Sequence, residues 1–317
     1  MIPFSVSLSD KPPKIWTFLS SNLKSQSRSL FINNAIQNGI PWRSYTNFYK
    51  LMDTKREIDK IKSQIENKNI KYPEYYLQPF HGYDQGNMNW LAANEGEAAT
   101  ISISSGYWPD ISPHIAASWL RNNITNYTNY YHDKYSNKFY TTKNKNQTIL
   151  DVGCSVGIST EYLKNTYPEK KIFGVDLSPY FISTAKFRSN FNKLDINYIH
   201  ANAESIPFEN NTFDFIFCSF LFHEVPTQPT RNILYEIYRI LKPDGIIIIT
   251  DLDAKKLKKR LSVSQFHLWA FEVTEPHIYE YYNQNMTHEL LNTGFTYIEK
   301  YNINPLNSVW LGKKRRI

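Results

Sequence analysis

Two features of this 317-residue chain have residue types and spacing that bear on chemistry. One is the small-residue turn Gly153-Cys-Ser-Val-Gly157, reached through Asp151-Val152. The other is the carboxylate Asp176, in Phe173-Gly-Val-Asp-Leu-Ser178. Gly153 and Gly157 have no Cβ and Ser155 has a small side chain, so a ligand can approach the main chain of the turn closely. A carboxylate at the tip of a strand can accept hydrogen bonds from ribose hydroxyls. Together they predict a cofactor that contains a nucleoside. Asp151 would repel a pyrophosphate beside the turn, but it can orient the amino group of a positively charged ligand.

The elements that position these residues follow from the apolar pattern. Thr148 to Val152 is short, apolar and β-branched, and Lys171 to Leu177 is again strand-like. Between them, Ile158 to Tyr167 can be helical, with Ile158, Tyr162 and Leu163 on one side. The dinucleotide fingerprint G-x-G-x-x-G does not fit, because Gly-Cys-Ser-Val-Gly-Ile lacks its second and third glycines. The turn does spell a G-x-S-x-G nucleophile elbow with Ser155 at its centre. A hydrolase would draw a partner from His267, His277 or His288, but no HGGG-type loop is present and Asp176 has no role in that chemistry.

A third reading accounts for more of the chain. Beyond Asp176 come Asn202-Ala-Glu-Ser-Ile-Pro-Phe208 and the strand Phe213 to Ser219, which leads into Phe220-Leu-Phe-His-Glu-Val225. Leu241-Lys-Pro-Asp-Gly245 then precedes Ile246 to Thr250. In this order, from Thr148 to about Asp253, the segments resemble the class I S-adenosylmethionine-dependent methyltransferases, in the branch that holds the quinone C-methyltransferases. The family's D-x-G-C-G-x-G stands here as Asp151 to Gly157, with Ser155 in place of the middle glycine. The resemblance implies S-adenosyl-L-methionine as cofactor, held by Asp151, Gly153, Cys154, Ser155, Gly157, Asp176, Leu177, Asn202, Ala203 and Ser219, and no metal. It places Asp176 on the ribose. Asn202 stands where the family often has Asp; its carbonyl oxygen can accept from the adenine amino group, and the Ala203 N–H can reach a ring nitrogen.

Strands alternating with helices imply a parallel sheet covered on both faces. The resemblance specifies a Rossmann-like, mainly parallel seven-stranded sheet. A terminal hairpin from Thr296 to Ile303 and Ser308 to Lys313 adds one antiparallel strand. We expect an N-terminal extension over residues 1–110, a methyltransferase domain over 111–317, and a cofactor-binding core at 148–253. Within the extension, about Tyr45 to Asn67 reads as one amphipathic helix. Tyr72 to Trp90, aromatic with two prolines and two glycines, reads as an irregular segment that is either a strap on the sheet edge or a lid over the site. This segment, with Trp90 to Thr100 after it and Thr274 to Tyr282 later, resembles a methyltransferase subgroup of cyanobacteria and plant or algal plastids. Helices are also expected over Ile115 to Lys134, over Pro179 to Leu194 with Ser178 as N-cap, over Thr227 to Leu241 and over Tyr281 to Asn292.

Composition sets wider bounds. Two cysteines give no disulfide framework. The apolar runs are too short to span a bilayer. Residues 1–41 are Ser-rich with Asp10 as their one acid, which suits a plastid transit segment as well as a flexible N-terminus in a cytoplasmic protein. A net charge of +7 permits an anionic partner.

For an acceptor that must lose a proton, the candidate base is His223, directly after the fourth strand, with Glu224 beside it to orient it or couple to its charge. His277 and Tyr279 are further candidates for the acceptor wall. A small aromatic, quinone or lipid-like acceptor is favoured. The basic runs Lys255 to Arg260 and Lys313 to Arg316 keep an RNA substrate open. A scaffold that binds the cofactor without turnover is the non-enzymatic alternative.

Overall fold

The computed structural model describes residues 14–54, 56–108, 110–135, 147–261, 271–272 and 274–316. Residues 1–13, with Asp10, and His267 lie outside them. Five helices come first: α1 (Lys14–Gln37), α2 (Trp42–Thr54), α3 (Glu57–Ile65), α4 (Trp90–Ser105) and α5 (Pro113–Tyr135). The alternating part follows as β1 (Thr148–Val152), α6 (Ile158–Thr166), β2 (Lys171–Asp176), α7 (Pro179–Phe191), β3 (Ile196–His200), β4 (Phe213–Ser219), α8 (Thr227–Ile240) and β5 (Leu241–Leu252). It closes with α9 (Ala254–Leu261), α10 (Ile278–Asn283), α11 (Met286–Thr293), β6 (Phe295–Asn302) and β7 (Asn307–Lys314). No helix among the described residues is long and apolar enough to cross a membrane.

The seven strands form one sheet in the order β3-β2-β1-β4-β5-β7-β6. The neighbours from β3 to β5 pair in parallel, and β7 runs antiparallel to both β5 and β6. This is the Rossmann-like sheet with a terminal hairpin that the sequence predicts. Strand order reverses direction at β1, between β2 and β4, so a crevice opens at the carboxyl ends of these strands. One apolar core, with Leu150, Ile216, Cys218 and Ile249, packs against α8 and α11 on one face. The other, with Ile149, Phe217, Ile248 and Leu311, lies under α5, α6 and α7. Both faces of the sheet are therefore covered, as parallel strands require.

Two expected helices are each broken in two. The stretch from Tyr45 to Asn67 splits into α2 and α3 around Arg56, whose φ of 57° is left-handed. Met52 and Ile58 are six residues apart, which on one continuous helix would set them roughly 240° apart around the axis. The break lets both join Tyr49 and Phe187 in one apolar cluster. The stretch from Tyr281 to Asn292 splits into α10 and α11, because the Asn285 side chain accepts the His288 N–H at 3.3 Å and caps a new helix. Ser178 caps α7 as expected, accepting from the Phe181 N–H at 3.2 Å.

The N-terminal helices are joined to the sheet through α7. Arg188 donates to both oxygens of Glu161 on α6, at 3.1 and 2.9 Å, and also to Glu97 on α4. Tyr49 on α2 donates to the same Glu97 at 2.5 Å. This network is mostly buried, so removing one partner would cost about 3–5 kcal/mol. On α1, Arg28 reaches Glu95 at 2.7 and 2.5 Å, and the Tyr83 hydroxyl donates to Glu95 at 2.6 Å.

The basic runs are divided between solvent and structure. On α9, Leu257 turns into the core while Lys255, Lys258 and Lys259 face outward. Lys314 is buried and its Nζ donates to the carbonyls of Tyr238 (2.6 Å) and Leu241 (2.7 Å), capping the end of α8. Lys313 pairs with Asp244 at 3.0 Å and donates to the Tyr135 carbonyl. Half of the terminal basic run thus serves the fold.

Candidate active site

A cavity of about 1030 Å³ opens at the carboxyl ends of β1, β2 and β4. Its cofactor-like end is built mainly from backbone. The chain leaves β1 with Gly153 at φ 71° and Ser155 at φ 49°, and it enters α6 through Gly157 at φ 84°. The Gly153 and Cys154 N–H groups both donate to the Val175 carbonyl, fastening the turn to β2. A Cβ on Gly153 would lie 2.9 Å from Leu221 Cδ1, so the glycine leaves room between the turn and the segment after β4.

Asp176 is the polar centre of this end. Its Oδ2 accepts from the Ser155 N–H at 2.8 Å and its Oδ1 from the Ser178 N–H at 2.8 Å. Each oxygen keeps further acceptor capacity toward the cavity. Burial raises its pKa to about 6, and the N–H groups of Ser178, Ser155 and Leu177 limit the rise. Leu177, Asn202, Ala203 and Ser219 line the same end. The Asn202 side-chain oxygen already accepts the Glu204 N–H at 2.9 Å, so it has one remaining lone pair for a ligand.

Asp151 and Gly157 stand behind this surface and do not line the cavity. Asp151 is fully buried, and its Oδ2 accepts from the Ser159 and Thr160 hydroxyls at 2.6 and 2.7 Å. Its Oδ1 has no partner. Burial raises its pKa to about 6, moderated by those two hydroxyls. A Cβ on Gly157 would meet the Tyr198 hydroxyl at 2.5 Å and Ala185 Cβ at 2.9 Å, so this glycine serves the packing of the turn onto α7 and β3.

The other end of the cavity is built from side chains. His223 is buried in the short 3-10 turn Phe222–Glu224 after β4, and its Nδ1 lies 2.7 Å from Asp251 Oδ1. Asp251 ends β5 and also accepts the Phe222 N–H at 2.8 Å, which fixes the carboxylate. Burial opposes the charge on His223, but Asp251 outweighs it and raises the pKa to about 9. Glu224 is not the orienting partner that the sequence suggests: its Oε1 lies 4.0 Å from His223 Nε2 and 3.4 Å from His81 Nε2. Desolvation lifts Glu224 to about 7, against the pull of His81 and His223. His81 also approaches Glu275 at 3.2 Å.

Sequence reasoning missed Asp251, His81 and Glu275. Asp251 carried a readable signal, an acid at the tip of the strand next to β4. His81 and Glu275 come from segments far apart in sequence, brought together where the His81 N–H donates to the Thr274 carbonyl at 2.9 Å. The irregular segment over 72–90 lies over the site, with Tyr75, Tyr76, Phe80, His81 and Tyr83 in the cavity wall. His277 and Tyr279 are outside that wall. His277 Nε2 faces the Tyr75 carbonyl at 3.5 Å, while Tyr279 is exposed and donates to Glu272. Ser155 has the left-handed backbone of an elbow, yet among the described residues no histidine hydrogen-bonds to it.

Comparison with known proteins agrees with this geometry. Residues 150–249 match the family described as "Methyltransferase domain". An uncharacterized methyltransferase of Synechocystis, sll0829, is 32% identical over 106 residues, covering 33% of this chain and 47% of that protein. A demethylmenaquinone methyltransferase of Oceanobacillus iheyensis is 33% identical over 104 residues, covering 32% of this chain and 43% of that protein. A tRNA U34 carboxymethyltransferase of Nautilia profundicola is 36% identical over 108 residues, covering 34% of this chain and 35% of that protein. The chain spans less than half the length of each of these relatives. With its sheet order, its glycine turn and the matched segment, the chain resembles the class I S-adenosylmethionine-dependent methyltransferases, and the quinone methyltransferases among them.

Proposed function

We propose that this chain is an S-adenosylmethionine-dependent methyltransferase acting on a small aromatic, quinone or lipid-like acceptor. The observation that carries the reading is Asp176, held through both oxygens by main-chain N–H groups where the strand order reverses. The residues present fit the cofactor. Gly153, Cys154 and Ser155 offer a close main-chain surface, Asp176 offers acceptors for ribose hydroxyls, and Leu177, Asn202 and Ala203 form the place for adenine. Ser219 borders the same surface. Asp151, with its unpartnered oxygen, and Gly157 act from behind the turn: one adds negative charge under a cationic ligand, the other keeps the turn in place. Bound S-adenosylmethionine would supply a methyl group activated by its sulfonium.

The chain itself must bring the acceptor to that end and manage its proton. Leu221, Phe220 and Phe271 give the cavity an apolar wall, and the aromatic segment contributes to the same lining. His223, with Asp251 on Nδ1 favouring the charged ring, presents its Nε2–H as a donor that orients an acceptor oxygen. Glu224 adjusts the charge beside it. Alignment of two bound molecules is worth several kcal/mol by itself. We assign the methyltransferase domain to 111–317 and an extension to 1–110, from which Arg28, Phe31, Tyr76 and His81 line the cavity. The demethylmenaquinone relatives support a quinone-like acceptor. RNA is disfavoured because Lys313 and Lys314 are engaged within the fold.

The test is calorimetric titration with S-adenosylmethionine and, separately, with NAD, followed by a labelled-methyl screen of quinone, lipid and RNA extracts. The expected outcome is micromolar binding of the former alone, with label in the quinone or lipid fraction. Label in RNA would replace the acceptor class. Binding with no transfer to any extract would favour a scaffold, and no binding to folded protein would end the methyltransferase reading.

A further inference from the structure

His81, His223 and Glu224 are the one group of three or more His, Cys, Asp or Glu residues among the described residues whose ligand atoms all come within 4.8 Å of each other. We propose that these three side chains form a binding site for one divalent transition-metal ion, with Zn²⁺ the best match, and that Glu275, 3.2 Å from His81 but outside that group, supports it as an additional carboxylate. The resemblance implied no metal, and these residues come from three distant segments.

Four observations support the site. The donor set is two imidazole nitrogens and one or two carboxylate oxygens, which suits zinc and its neighbours in the first transition row. Donor atoms about 2.0–2.1 Å from a tetrahedral ion stand roughly 3.3 Å from each other. His81 Nε2 lies 3.4 Å from Glu224 and 3.2 Å from Glu275, close to that spacing; His223 Nε2, 4.0 Å from Glu224, would have to move in by roughly 0.7 Å. The third observation is the buried Asp251 on His223 Nδ1, which fixes the ring and leaves Nε2 toward the cluster. A carboxylate in that place is the usual outer partner of a metal-bound histidine. The fourth is independent of these: Glu275 has a side chain only 6% exposed, and its Oε2 has no hydrogen-bond partner. A buried carboxylate oxygen left without a donor is costly, and a cation would satisfy it.

His81, Glu224 and Glu275 all line the cavity, so a coordination position would face a bound molecule. An oxygen of that molecule, such as a phenol or quinol hydroxyl, is the chemical class it would take. This role rests on the proposed function; the metal site does not. With an ion bound, His223 would lose its Nε2 proton and hold the metal through that atom, and the ion would supply Lewis acidity toward an acceptor hydroxyl.

The experiment uses the full chain, stripped with a chelator and dialysed. Zn²⁺ is titrated by calorimetry with elemental analysis of the loaded protein, and Co²⁺ is followed by visible absorption. One ion per chain is expected. His81→Ala should weaken binding by about a hundredfold and Glu275→Gln by about tenfold or more, and Asp251→Asn by about 10–100-fold. The exposed His288→Ala should leave it unchanged. Circular dichroism of each variant checks the fold; if His81→Ala does not fold, Glu275→Gln carries the comparison. No stoichiometric binding, or equal binding by Glu275→Gln and by the parent, overturns the site. S-adenosylmethionine is titrated into the same zinc-free protein. Zinc binding without cofactor binding would keep the site and remove the function, and the reverse result would do the opposite.

Discussion

At the end of the cavity over β1 and β2, the polar groups are mainly main chain, taken from consecutive residues and fixed by the sheet. At the end over β4 and β5 they are side chains: His81 from the segment before α4, His223 and Glu224 after β4, Asp251 at the tip of β5, and Glu275 before α10. The first arrangement asks for backbone shape: Gly153 and Gly157, at φ 71° and 84°, leave no room for a Cβ, so it is set by a few neighbouring residues. The second depends on four separate parts of the chain reaching the same few ångströms. A shared cofactor suits the first construction, and a particular acceptor suits the second.

The largest test of this contrast falls on Asp176, the one side chain on which the main-chain end depends. Asp176→Ala should weaken S-adenosylmethionine binding by about a hundredfold or more, roughly 3 kcal/mol, as read by calorimetry. Its melting temperature should hold or rise, since a carboxylate with a raised pKa is costly to ionise in the fold. Unchanged affinity would break the comparison at its stronger side.

His223→Gln and Asp251→Asn should behave in the opposite way. Methyl transfer to the acceptor found by extract screening should fall by about 10–100-fold, while cofactor affinity stays within about twofold. Parallel loss of both readouts would show that the two ends are not separate. The smallest effect is one of pH. Asp176 binds a hydroxyl donor as the carboxylate, and in the free protein it takes up a proton as pH falls through about 6. Cofactor affinity should therefore hold above pH 7 and drop roughly fourfold by pH 5.5. Folding runs the other way. Between the ordinary Asp value and about 6, the folded chain keeps protons that the unfolded chain has released, so this group's contribution to stability declines as pH rises. Cofactor calorimetry from pH 5.5 to 8, with thermal unfolding of the free protein followed from about pH 4 to 7, in Asp176 and Asp176→Asn proteins checks both signs.

The same contrast explains what could be read before the structure. Gly153, Ser155, Asp176 and Asn202 sit within about fifty residues, on strands whose apolar pattern is plain, and all four reach the cavity. The strand from Phe213 to Ser219 and the cap at Ser178 are also local features. Gly157 was legible as a small residue, but its use in packing against Tyr198 depends on β3, which no motif specifies. His81 could not be recognised from its surroundings, since a histidine in an aromatic loop has many uses. Its meaning comes from Glu275, nearly two hundred residues away. Arg56 shows the same limit in the fold: helix spacing on both sides is sound, and only the shared target at Phe187 reveals the break.

The Arg188 network has a consequence for anyone who would treat the chain as separable modules. An expression fragment starting near residue 111 would keep Glu161 but lose Glu97 and Tyr49, and it would strip the cover from Phe187. A guanidinium with half its partners gone, beside newly wetted aromatic surface, makes a sticky and unstable product. In practical terms the sheet and α7 depend on the helices that precede β1, and a related sheet domain could not simply be exchanged behind them without recutting the outer face of α7.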